Sequence, residues 1–144
     1  MNEIKFRLIS DNKIVGYCRW FEGNKYFLSG WEYRLPGVPS WRHEKDGGFI
    51  PHNKKDWFTG MTDIQERDIY SGDIVESWYA AGGVVCFTCG SFVLENPNHI
   101  FKYNPKWENP TSIMPICGIG ARNNKIIGNI YENPELLEKG GLNA

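Results

Sequence analysis

The chain lacks most of the features that assign a function on sight. No apolar run approaches the ~20 residues of a membrane span. The first ten residues, MNEIKFRLIS, have neither the basic start nor the long apolar stretch of a secretory signal, so a cytoplasmic, reducing setting is expected. Cysteine is scarce, at four: Cys18, Cys86, Cys89 and Cys117. That is too few for a disulfide scaffold in a chain of 144 residues, which is long enough to bury a core of its own. There is no Walker loop, nucleophile elbow or paired metal motif. Net charge is only −1, which gives no broad attraction to nucleic acid or membrane.

The charge is nevertheless uneven. Residues 1–60 hold ten Lys/Arg against seven Asp/Glu, a balance of +3. Residues 61–99 hold Arg67 alone against six acids, a balance of −5. The acidic middle reads as a solvated loop and strand face. What the chain has in quantity is aromatic rings, 15% of its residues and six of them Trp. Each ring buries a large area, so a single core needs no metal or disulfide.

Period two dominates the opening. In IKFRLIS, Ile4, Phe6 and Leu8 alternate with Lys5 and Arg7, as a half-buried strand requires. Asp11 and Asn12 make a turn into KIVGYCRWF, where Gly16 marks a bulge. Glu22-Gly23-Asn24 turns the chain again, and KYFLSGW is read as a third strand. Residues 35–56 break the pattern with three Pro and three Gly, and read as a long loop or two short strands around Gly47-Gly48. Further strands are expected in IVESWY, VVCFTC, SFVLE, IFKY and KIIGNIY. A helix is expected over 134–139, with Asn133 as N-cap and Pro134 at the first helical position. Six residues do not hold a helix in water, so this one must dock.

Three constellations could carry chemistry. Cys86 and Cys89 have ligand spacing, but a structural zinc site wants two such pairs, and core cysteines are the expected reading; no metal or cofactor is implied. His43 and His52 lie near Asp46 and Asp56, the raw material of acid–base catalysis, and a small enzyme built on either histidine is one alternative. The segment 31–57 interleaves Trp31, Arg34, Trp41, Arg42, His43, Lys54, Lys55 and Trp57. Rings beside cations are what a single-stranded nucleic acid needs, and that is the second alternative. A β core with a partner surface explains the same residues.

Two stretches together are specific. WFTGMTDIQERDIYSGDIV (57–75) and IIGNIYENPELLE (126–138) resemble motifs of the YopX family, and IKFRLISDNKIVGY is similar to that family's usual start. The resemblance implies a small β-rich protein of phage or prophage origin, self-associating, with no established activity and no catalytic residues to transfer. It gives Thr59, Gly60, Asp63, Gly72, Asp73, Gly128, Asn129, Asn133 and Pro134 turn and core roles. A Gly-Asp-Ile-Val turn is also how Src-homology-3-like barrels enter a core strand. The expectation is therefore one mainly β domain over 1–144, a small bent sheet or partly open barrel of roughly six to ten strands. It carries one short C-terminal helix, and 31–56 is a possible protruding loop or arm. The expected function is a non-enzymatic, cytoplasmic accessory protein acting through protein contacts and as a homo-oligomer. Exposed strand edges would be natural pairing surfaces, and a phage or host protein is a possible further partner.

Overall fold

Eleven strands and two single turns of 3-10 helix make up residues 3–77, 83–88, 90–95, 113–115 and 124–137, the parts that the computed structural model describes. The chain is mainly β, in two antiparallel sheets, and neither closes into a barrel. It divides into two compact units, Met1–Phe58 and Thr59–Ala144.

The first unit is the meander that alternation points to. Strand β1 (Lys5–Ser10) pairs with β2 (Lys13–Phe21), β2 with β3 (Gly30–Arg34), and β3 with the two-residue β4 (Arg42–His43). On its other side β1 takes the first half of β5 (Lys54–Thr62). Asp11 and Asn12 both adopt positive φ, which makes the tight β1–β2 turn. The register slips at Leu8/Ile9, leaving Val15 as the extra residue beside Gly16. Gly16 is required there, since a Cβ would lie 2.8 Å from the backbone carbonyl oxygen of Arg34. Phe6, Cys18 and Tyr33 stand in one cross-strand row, and with Leu8 they form the core, covered by Val15, Trp31 and Ile50. Burial pushes the Cys18 thiol up to about 11, against a weaker pull from the Lys55 cation.

KYFLSGW departs from the strand expected of it. Only Gly30 and Trp31 join β3, and residues 25–29 form a loop. Asn24 causes this, because its Oδ1 accepts the N–H groups of Tyr26 and Phe27 and takes them out of any ladder. The segment 31–56 holds β3, β4 and one 3-10 turn, Glu44–Asp46, closed by Gly47 at φ 80°.

In the second unit the end of β5 lies beside β6 (Asp68–Tyr70). The other sheet runs β10-β9-β8-β7-β11, built from β7 (Asp73–Ser77), β8 (Gly83–Thr88), β9 (Ser91–Glu95), β10 (Ile113–Pro115) and β11 (Asn124–Asn129). Ile69, Val75, Val85 and Leu94 make its core, with Met61, Phe92 and Ile126 packed against them. Ile74 collects Val84, Ile127, Ile130, Leu136 and Leu137. The expected IFKY strand, Cys89 and Cys117 fall outside the described residues, as do 138–144.

The C-terminal helix is a single 3-10 turn, Pro134–Leu137. Asn133 does not cap it with its side chain. Its Oδ1 turns back to accept the N–H of Asn129 at 3.2 Å, while its backbone carbonyl accepts from Leu136. Drawn backwards, the Asn133 side chain leaves the turn's own N–H groups without the cap that a longer helix would need.

Candidate functional site

The side chains with the greatest chemical potential are bound into the fold. Asp63 is the clearest case. Its side chain is fully buried, and Oδ1 accepts the backbone N–H groups of Gln65 and Arg67, each at 2.9 Å. Oδ2 accepts Arg67 Nε and Nη2 at 3.0 and 2.8 Å and the N–H of Ile126 at 3.1 Å. Arg67 Nη2 continues to the Ile126 carbonyl. Burial alone would raise the Asp63 pKa, but these bonds, the backbone N–H groups foremost, hold it below the ordinary carboxylate value. Asp63 thus fastens the β5–β6 turn to β11, more than sixty residues away.

The other motif residues act in the same way. Thr59 Oγ1 donates to the Ile69 carbonyl at 2.8 Å and accepts the Met61 N–H, while Gly60 supplies φ 84°. Gly72, at φ 89°, donates to the Val85 carbonyl and accepts from Ile130. Asp73 Oδ2 closes that turn by accepting the Tyr70 N–H. Asn129 Oδ1 accepts from both Tyr131 and Glu132. Gly128 faces Asn133, and a Cβ would lie 2.6 Å from its Oδ1.

These contacts also close a strand edge. The outward groups of β11 are engaged: the Asn124 carbonyl by Ile64, the Ile126 N–H and carbonyl by Asp63 and Arg67, and both Asn129 groups by Asn133. Gly48 covers β4 in the first unit, donating to the His43 carbonyl. Spent edges of this kind do not recruit a further strand.

Part of the aromatic-basic segment packs on itself, while Arg42, Lys54, Lys55 and Trp57 stay exposed. Arg19 and Glu32, cross-strand neighbours, form a salt bridge at 2.9 Å. Arg19 and Arg34 lie 4.3 and 5.2 Å from the Trp41 ring, and Arg34 lies 4.5 Å from Tyr17. Trp31 packs edge-on to Trp20 and against Phe6, which also meets Trp57 at 4.6 Å. Lys55 covers the Phe6 and Trp31 rings. Arg7 and Asp56, directly opposite on β1 and β5, form a buried ion pair at 3.1 Å.

The histidines are separate from one another in role. His43 Nδ1 accepts the Lys45 N–H at 2.9 Å, which puts the proton of the neutral ring on Nε2. That atom is buried against Gly30 and makes no hydrogen bond among the described residues. His52 Nδ1 meets the Ile50 carbonyl at 2.7 Å, which can only accept, and its ring lies against Phe49. Among the described residues no group of three His, Cys, Asp or Glu is placed to hold a metal. Cys86 donates to Glu95 at 3.5 Å, and burial, then the Glu95 hydrogen bond and charge, push its thiol up to about 11. No helix among the described residues is long and apolar enough to cross a membrane.

One surface feature escaped sequence reasoning. Tyr26, Phe27 and Leu28 are 77, 65 and 58% exposed at the tip of the β2–β3 loop. Asn24 holds the first two amides, Asn24 N–H donates to the Phe27 carbonyl, and Gly23 N–H donates to Ser29 Oγ. A cleft of about 570 Å³ opens beside the tip, bounded by Phe21, Trp41 and His43. The available signal was the pair of turn-formers Gly23-Asn24 followed by three consecutive apolar residues, a run that alternation does not explain.

The profile of the family described as YopX protein matches residues 53–138. The chain belongs to the YopX family. The match begins just before β5 and ends just past the last 3-10 turn, so it takes in the Asp63 knot, the Gly72-Asp73 turn and the tail. Residues 1–52, including the aromatic tip, lie outside the span matched to the family. Among solved structures, the crystal structure of protein EF1440 from Enterococcus faecalis is similar at 18% identity. That match covers 95% of this chain and 97% of that one, with a TM-score of 0.38. No curated protein matches.

Proposed function

We propose that the chain is a non-enzymatic accessory protein of phage or prophage origin, working in the bacterial cytoplasm through protein contacts and chiefly through self-association. One observation carries the reading. The first unit keeps three consecutive large apolar side chains in solvent on a loop held by its own hydrogen bonds. Contiguous exposed apolar surface of this kind marks interaction sites. Membership of the YopX family supports the accessory role.

The competing readings draw less support. His43 has one ring nitrogen occupied and the other buried, so it has no free base to offer a substrate. Arg19 and Arg34 are already stacked on Trp41 and Tyr17, and a nucleobase would have to displace them. Two differently tagged copies, co-expressed and treated with nuclease, should purify together. Failure to co-purify, with a low-salt gel shift on single-stranded DNA or RNA in its place, would replace this reading with the nucleic-acid one.

A further inference from the structure

We infer that the Tyr26–Leu28 tip and its cleft are the face on which a second copy of this chain docks, as a two-fold symmetric pair; this rests on the self-association proposed above. The cleft lining holds Arg42 and Lys45 against Glu32 and Asp46, and its balance is zero. At a two-fold axis a patch meets its own copy, so a patch of one sign repels itself and a balanced one does not. Nucleic acid or a highly charged peptide calls for the opposite arrangement, a net charge.

A stable pair needs about 800 Å² from each partner. Large apolar side chains bury roughly 150–250 Å² each when fully covered, so three that are more than half exposed supply about half of this. The cleft walls at Phe21 and Trp41 continue the same surface. The loop is already fixed by Asn24 and Ser29, so little ordering is lost on docking. The edges of β4 and β11 are spent on chain-internal bonds, so strand addition is closed at one edge of each sheet. Elsewhere among the described residues, exposed apolar groups such as Ile4, Ile64 and Phe87 do not form a run of three.

Light scattering over a concentration series tests this with Phe27→Asp, Leu28→Lys and, as a control, Ile64→Asp in the second unit. Circular dichroism verifies that each variant is folded. The wild type and Ile64→Asp should self-associate alike, and either tip variant should weaken association by roughly a hundredfold, as removal of an interface anchor does. Lys45→Glu should weaken it in a salt-dependent way, and adding Asp46→Lys should restore it by returning the lining to balance. A wild type that associates while both tip variants associate equally well overturns the assigned face and leaves self-association standing. Loss of association in Ile64→Asp as well overturns the face too. A wild type that is monomeric throughout overturns both this inference and the proposed function.

Discussion

Replacing Asp63 by Asn keeps the shape of the side chain and removes its charge. Oδ1 still accepts from Gln65 and Arg67 N–H groups. The new amide NH₂ replaces Oδ2 and faces three donors, Arg67 Nε and Nη2 and the Ile126 N–H. Removing one partner of a buried, hydrogen-bonded ion pair costs about 3–5 kcal/mol. Arg67 is 45% exposed and regains water, so the lower end applies, about 3 kcal/mol. Against a total of roughly 5–15 kcal/mol this is a large loss. Urea denaturation at pH 7 measures it, read as a lower midpoint at constant m value. The pH dependence is a second readout. Because folding lowers the Asp63 pKa, its stabilisation is fully present above the ordinary carboxylate value near 4 and is lost as pH falls through the lower folded value. The Asn variant should lack that acid-side loss. A change below about 1 kcal/mol, or an unaltered acid profile, would refute the claim that Asp63 ties β11 to the β5–β6 turn.

Gly128→Ala should cost about 1–3 kcal/mol through its contact with Asn133, and combining it with Asn133→Ala should cost less than the sum of the two singles. Additive effects would show that the two do not meet. Peptide mapping after alkylation at pH 8 should find Cys18 and Cys86 labelled roughly a hundredfold more slowly than an ordinary thiol, with labelling rising toward pH 11. Fast labelling of either at pH 8 contradicts their protected settings. Deleting residues 126–144 removes Ile126, Ile127, Ile130, Leu136 and Leu137 from the second unit's core, and should leave insoluble protein or no cooperative transition. A soluble, cooperatively folding truncation would show that the tail is dispensable.

The meander of the first unit was legible because alternation survives wherever one face is buried and the other wet, as in Lys5–Ser10. The Gly72-Asp73 turn was legible because positive φ and a carboxylate bonding its own loop are local requirements. Local chemistry misled at Tyr26–Ser29, where a strand-like composition was overridden by one Asn side chain. The Asp63–Ile126 bond was not legible at all, since a contact across sixty residues leaves no period in the sequence. From sequence the aromatic-basic segment reads as a β core with a partner surface, with a base-stacking surface as the alternative. What sequence separation conceals is that Trp41 falls beside Arg19 of β2 and Arg34 of β3.

Sedimentation of the purified chain over a wide concentration range tests the central claim most directly. Self-association through an exposed face predicts an average mass that climbs with concentration from 16.6 kDa toward twice that value. A mass fixed at 16.6 kDa across the whole range would contradict it.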